Sequence, residues 1–329
     1  MSHEIEISTL PGEAATTHGK SLTVMSLWRV MRPQQWSKNL FILAPLVFGK
    51  RATDIDALVN ASIALVAFCV LASALYIIND SIDAENDRLH PKKRNRPISS
   101  GELPVRVALI LAVVLALTAF FLAWMVSPAL VAVAFVYMIL MLGYSVIVKH
   151  FPILDCMAIA AGFVLRVVGG SVAVGVMPTH WLIVCAFLLA LFLAFTKRRQ
   201  ELLTLNGSAA HHRKVLHEYS IKYLDQVNMI LTAAVIVCYA LYTIAPETTE
   251  RFGTNKLIYG TVFVAYGVLR YLLIIDKPNR RDNPTEILLT DAPIILAVLG
   301  WCLYNIAVVY HSALQSLASG FLQGSSTYK

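Results

Sequence analysis

Residues 107 to 148 form a run of 42 positions without one Asp, Glu, Lys or Arg, bounded by Arg106 and Lys149. Drawn as one helix at about 1.5 Å per residue, the run would be roughly 63 Å long, about twice the hydrocarbon thickness of a bilayer. It must therefore fold back within the membrane. Ser127-Pro128 is the expected turn, because proline has no amide donor and disfavours helix at the residue before it.

The rest of the chain obeys the same constraint. With 57% hydrophobic and 14% charged residues it is too apolar for a soluble domain and reads as an all-α, polytopic membrane protein. The apolar runs predict nine helices, at 38–54, 57–81, 104–126, 129–148, 153–176, 179–199, 222–245, 256–275 and 288–312. The first is the weakest: its uncharged part, Asn39 to Gly49, is too short to cross alone and reads as partly interfacial. Residues 1–25, acidic where a signal peptide is basic, read as a disordered cytoplasmic tail. Residues 26–313 read as one transmembrane catalytic domain and 314–329 as a C-terminal tail.

Orientation follows from the cations. With a cytoplasmic N-terminus, 20 Lys and Arg fall on the inner side and 5 on the outer side, while Arg166 and Arg270 lie within helices. The expected location is the cell's inner (plasma) membrane, with the active site facing the cytoplasm. The net charge of +7 describes one face, and nucleic acid is not expected as a partner, since basic inner loops serve topology. The five cysteines form no CxxC pair, and so indicate neither a disulfide framework nor a zinc site. His211, His212 and His217 sit in a polar loop without matching acidic or Cys ligands and read as solvated.

Against this background NDSIDAENDRLHPKKRNRPISSG, residues 79–101, is anomalous. Four carboxylates within eight positions precede five cations within nine, at the end of the second span. Asn79, Asp83 and Asp87 recur at i, i+4, i+8, which puts them within about 80° on one helix face. Carboxylate and amide oxygens suit Mg²⁺, which completes its shell with water and substrate phosphates. Acids at a helix C-terminus gain nothing from the helix dipole, whereas the basic cluster Lys92, Lys93, Arg94 and Arg96 also fits a positive-inside loop. Arg166, inside GFVLRVVGG, carries an intramembrane cost of at least about 2.5–3.5 kcal/mol, which an anion in a cavity would offset. Further cations recur at helix ends on the same side: Arg32 and Lys38 beside Trp36, Lys149 near Tyr144, and Lys197, Arg198 and Arg199 with Glu201. Together they suggest a pocket for several phosphates.

RPQQWSKN, the Asn/Asp-rich segment, the LRVVGG helix and KRRQEL, in this order, resemble the UbiA superfamily of intramembrane prenyltransferases over residues 28–310. Within it they are most similar to the phosphoribosyltransferases that act on decaprenyl phosphate. The resemblance implies a nine-helix bundle with a lipid-accessible cavity and Mg²⁺ on Asn79, Asp83 and Asp87, with Asp80 an alternative ligand. The aromatic prenyltransferases of this superfamily carry a second Asp-rich motif where this chain has TKRRQEL. Cations there suit a lipid that brings its own phosphate. The implied reaction moves phosphoribose from phosphoribosyl diphosphate to a polyprenyl phosphate, with Asp83, Asp87, Lys197 and Arg198 in catalytic roles. Lys38, Asp80, Lys93, Tyr144, Lys149, Arg166 and Glu201 are the substrate-binding candidates. Membrane lipids are the other expected partners, and a homo-oligomer stays open. Two other readings remain: an aromatic prenyltransferase, favoured if Glu201 and Asp225 hold a second metal, and an anion transporter, which needs a vestibule on each face.

Overall fold

The structure, a computed structural model, describes residues 24–89, 93–204, 214–276, 287–288 and 290–311; Lys92, His211 and His212 lie outside them. The amphipathic helix α1 (Val24–Met31) is followed by an 11-residue 3₁₀ helix (Pro33–Leu43) and the short α2 (Ala44–Phe48). The spanning part comprises α3 (Ile55–Ile82), with the small α4 (Ala84–Arg88) beyond its end, then α5 (Val105–Val126), α6 (Pro128–Val146), α7 (Leu154–Val174) and α8 (His180–Thr204). The remainder is α9 (Ile221–Ile244), the small α10 (Pro246–Phe252), α11 (Thr261–Ile275) and α12 (Ala292–Val309). No strand occurs among the described residues.

Eight described helices are long and apolar enough to cross a membrane, against nine expected. The difference lies in the first span. Pro33 starts the 3₁₀ helix after an Arg32 in left-handed conformation, Pro45 interrupts its continuation, and α2 ends at Gly49. Prolines at these points remove the donors a continuous α-helix needs, so the segment runs as a bent insert rather than a straight span. The expected turn within the long apolar run holds: Ser127 caps α6 by accepting from the Leu130 amide at 3.1 Å, and Pro128 takes the first helical position.

Two helices form the interior. In α3 and α7, 61% of the spanning window is buried, against 17% in α5, whose Ile110, Leu117, Phe121 and Trp124 face outward. An apolar helix that exposes its side chains in this way is solvated by lipid. One core unites Ala64, Phe68 and Leu71 of α3 with Ala119, Ala123, Leu130, Ala134 and Tyr137 of α5 and α6. A second joins α8, α9 and α11 through Phe192, Phe195, Leu224, Leu231, Val268 and Tyr271. The bent insert lies directly on α7. A Cβ added at Gly170 would stand 2.0 Å from the Ile42 carbonyl oxygen, so only glycine admits that approach.

Because the spans alternate, the C-terminal ends of α3, α6, α8 and α11 and the N-terminal ends of α5, α7, α9 and α12 share one side. The charged motifs meet there.

Candidate active site

At its end α3 yields to α4 without losing helical register: the Asp83 amide donates to Asn79 O at 2.9 Å and the Asp87 amide to Asp83 O at 2.8 Å. Asn79, Asp83 and Asp87 therefore rise on successive turns, and Asn79 Nδ2 reaches Asp83 Oδ2 at 3.2 Å. The three aspartates of the motif are each met by cations from other elements. Asp80, 2% exposed at its side chain, takes Arg32 in a bidentate pair, with Nε at 3.1 Å and Nη2 at 2.6 and 2.7 Å. Arg96 Nη1 bridges Asp80, at 3.0 Å, and Asp87. Lys93 stands 3.7 Å from Asp87, and Lys149 Nζ donates to Asp83 at 2.6 Å. Four cations thus serve three carboxylates. Charge-assisted bonds of this type contribute about 1.5–3 kcal/mol each when water is excluded, enough to fix the orientation of the motif.

Deeper in the bundle, Arg166 is buried without a carboxylate. Its Nε donates to Asn39 Oδ1 at 2.6 Å, Nη1 to Gly162 O at 2.9 Å and Nη2 to the Tyr137 hydroxyl at 2.7 Å. The guanidinium also stands 4.8 Å from the Tyr137 ring centroid and 5.1 Å from that of Phe163. Neutral acceptors and ring faces orient the charge without cancelling it. Lys38 lies within the fields of Arg166 and Arg32, and Lys197 within those of Lys38, Tyr144 and Arg198. Lys38 makes no ion pair among the described residues, and Lys197 reaches only Glu201, at 3.8 Å.

Arg198 is different. Fully buried, it donates through Nε to Asp155 Oδ2 at 2.6 Å, through Nη1 to Glu201 and through Nη2 to Tyr144 Oη at 3.3 Å. Asp155 accepts a further bond from the Tyr219 hydroxyl at 3.0 Å. The charge of Arg198 is balanced twice over by protein, so this arginine ties α6, α7 and α8 together at their shared end.

The residues therefore divide. Asn79, Asp83 and Lys149 form one set of contacts, and Asp80, Asp87 and Lys93 another joined through Arg96, both at the end of α3. Lys38, Arg166 and Lys197 are cations with little or no carboxylate compensation. Tyr144, Arg198 and Glu201 share a second network. Arg32, noted in the sequence as a helix-end cation, proves to hold Asp80, and Arg96, noted in the basic cluster that follows the acids, holds Asp80 and Asp87. Asn39 closes the RPQQWSKN segment, whereas Tyr137 and Asp155 carry no motif of their own; only their polarity inside apolar helices marks them. Asp155, about three turns from Arg166 along α7, pairs with Arg198 instead.

The UbiA prenyltransferase family matches residues 41–289. The chain belongs to that family. It is 33% identical over 311 residues to the decaprenyl-phosphate phosphoribosyltransferase of Mycolicibacterium smegmatis, covering 91% of this chain and 98% of that one. The enzyme of the same name from Corynebacterium glutamicum is 35% identical over 288 residues, 86% of each chain. In three dimensions the fold matches a UbiA homolog from Archaeoglobus fulgidus bound to GPP and Mg²⁺, with a TM-score of 0.66 at 20% sequence identity over 86% of this chain and 99% of that one. Membership in the UbiA family makes this an intramembrane transferase, and its charged cluster at the ends of α3, α6 and α8 is the candidate active site.

Proposed function

We propose that the protein transfers 5-phosphoribose from phosphoribosyl diphosphate to a polyprenyl phosphate of the decaprenyl type, releasing diphosphate, at a site open to the cytoplasmic face of the inner membrane. The observation that carries this reading is the charge of Arg166 and Lys38, neither of which pairs with a carboxylate among the described residues. An aromatic acceptor brings no phosphate, whereas this donor and this acceptor bring several, and cations without carboxylates are what they need. KRRQEL supports the same conclusion: its one carboxylate, Glu201, is committed to Arg198 and Lys197, and Asp225 is bonded to Arg199 on a different face of α8.

Asn79, Asp83 and Asp87 fit a Mg²⁺ ion in donor type and spacing, with Asp80 as a further oxygen donor. Among the described residues no three His, Cys, Asp or Glu side chains converge on one point, and Arg96, Lys93 and Lys149 now neutralise these carboxylates. When bound, the ion supplies charge neutralisation for the departing diphosphate. The chain's own residues do the rest. Arg96, Lys93 and Lys149 exchange protein carboxylates for donor phosphates, and Arg166, held by Asn39 and Tyr137, presents a preoriented fork. Lys38 and Lys197 bind the lipid phosphate. An oxygen of that phosphate attacks the anomeric carbon in line, the bond from that carbon to diphosphate breaks, and configuration inverts. The attacking oxygen is already anionic near neutral pH, so no general base is needed.

The test supplies purified protein with labelled phosphoribosyl diphosphate and polyprenyl phosphate, and in parallel with polyprenyl diphosphate and 4-hydroxybenzoate. Labelled phosphoribosyl lipid in the first arm alone is expected. Prenylated hydroxybenzoate without phosphoribosyl lipid would overturn the proposal.

A further inference from the structure

Away from this cluster, where α8, α9 and α11 end on the same side, a cavity of about 400 Å³ is lined by Arg199, Asp225, Asn228, Met229, Leu272 and Asp276, among others. Arg199 organises its rim. Its Nε donates to Asp225, its Nη1 to the Ile275 carbonyl at 3.0 Å and its Nη2 to Asp276 at 3.2 Å. A guanidinium has five N–H groups, and three are bonded among the described residues, so two donors remain there. Among the described lining residues one cation faces two carboxylates, whose side chains are 47% and 80% exposed, an excess of negative charge. The outer walls are apolar: Met229 and Leu273 are exposed where lipid would lie.

Asn228, 2% exposed, points to a ligand independently of the acids. It follows Asp225 by three positions on α9 and so shares its face. Its Nδ2 is buried without a partner, while Oδ1 lies 3.2 Å from Thr196 Oγ1. The Thr196 hydroxyl has one proton, and Phe192 O, at 2.8 Å, is the nearer acceptor. The network is satisfied when the amide is turned by 180°, so that Nδ2 donates to Thr196 Oγ1 and Oδ1 becomes the atom without a partner. Asn228 then contributes a third oxygen acceptor beside Asp225 and Asp276.

We propose that this cavity binds the headgroup of a membrane lipid with a primary ammonium, phosphatidylethanolamine in chemical class. Its ammonium would take the oxygens of Asp225, Asp276 and Asn228, its phosphate the free N–H groups of Arg199, and its chains the outer surface of Met229 and Leu273. Three acceptors match the three N–H donors of a primary ammonium, which the trimethylammonium of phosphatidylcholine lacks. An anionic headgroup would meet the two carboxylates.

The experiment measures lipid retention by native mass spectrometry, and the unfolding temperature by tryptophan fluorescence, on the full chain in neutral detergent. Phosphatidylethanolamine, phosphatidylcholine, phosphatidylglycerol and soluble phosphoethanolamine are titrated separately. Phosphatidylethanolamine should be retained at least about tenfold more tightly than phosphatidylcholine, the equivalent of one lost charged hydrogen bond, and should raise the unfolding temperature. Asn228→Leu and Asp276→Asn should each weaken that retention about fivefold or more. The exposed Asp276 keeps the test valid if Asn228→Leu does not fold. Equal retention of both lipids, or retention unchanged in Asp276→Asn, would overturn the proposal. Preference for phosphatidylglycerol would show an anion site instead, and equal binding of soluble phosphoethanolamine would remove the lipid from it.

Discussion

Lys197 and Arg198 are adjacent cations in one motif, yet their surroundings predict opposite consequences of losing them. Arg198→Met removes the guanidinium that Asp155, at 0% exposure, pairs with at 2.6 Å. Breaking a buried pair from one side costs about 3–5 kcal/mol, because the remaining charge is stranded. Asp155 would keep the Tyr219 hydroxyl at 3.0 Å, which places the expected loss at the lower end, about 3 kcal/mol. For a chain of this size that corresponds to a fall in unfolding temperature of about 4 °C. Lys197→Met strands nothing: its side chain is 42% exposed, and its nearest carboxylate, at 3.8 Å, keeps Arg198. Its stability should change by less than about 0.5 kcal/mol, while kcat/KM for phosphoribosyl transfer falls roughly 10-fold or more. Fluorescence-monitored unfolding in detergent, beside steady-state kinetics at several lipid phosphate concentrations, separates the two effects. Asp155→Asn combined with Arg198→Met should recover part of the lost stability, since no buried charge is then left alone. If Arg198→Met unfolded at the wild-type temperature but lost turnover, or if Lys197→Met had unchanged kcat/KM for both substrates, the division between tie and substrate contact would be wrong.

Asp83→Asn and Asp87→Asn should each abolish turnover; Asp87→Asn should change the unfolding temperature little, because Arg96 keeps Asp80 and Lys93 reaches water, whereas Asp83→Asn should lower it, because the nearly buried Lys149 loses its carboxylate; near-wild-type Mg²⁺-dependent turnover in both would remove the proposed metal site. Asn39→Ala should lower kcat/KM about 10-fold by releasing Arg166 Nε, an effect visible in kinetics and in a weakened affinity for inorganic diphosphate measured by calorimetry. Gly170→Ala should destabilise by more than about 2 kcal/mol, since its Cβ would overlap Ile42 O; a variant as stable as wild type would show that the bent insert does not press on α7. Single cysteines at Glu85 and Lys222 should react with an impermeant maleimide from the cytoplasmic side alone; labelling from the other face would reverse the topology.

Most of the fold was legible because hydrocarbon thickness and backbone satisfaction leave helices few choices. Ser127-Pro128 illustrates this: one dipeptide inside 42 uncharged residues marks the turn, and the structure places it there. The first span was less legible, because its course depends on Pro33, Pro45 and the contact of Ile42 with Gly170, 128 positions further on. The acidic motif could be read from local spacing alone. Which cation meets which carboxylate could not, since Arg32 with Asp80, Lys149 with Asp83 and Arg198 with Asp155 join separate helices. Nothing in KRRQEL distinguishes Lys197 from Arg198; the difference lies in Asp155 of α7.

The pairing pattern also bears on how the site stays folded before substrate arrives. Asp80 and Asp87, nearly buried, would cost several kcal/mol if left alone, as would unpaired arginines beside them. Pairing them with one another removes both costs, and Arg96 alone serves two carboxylates. Under the proposed function, substrate phosphates would compete with protein carboxylates for the same cations, and binding would be an exchange. Only Arg166 and Lys38 would then attract phosphate without first breaking a protein pair. Arg166, fixed in the bundle interior by Asn39 and Tyr137, would draw the anion inward from the ion-paired rim. The rim then needs only to exchange partners, and the interior supplies the direction.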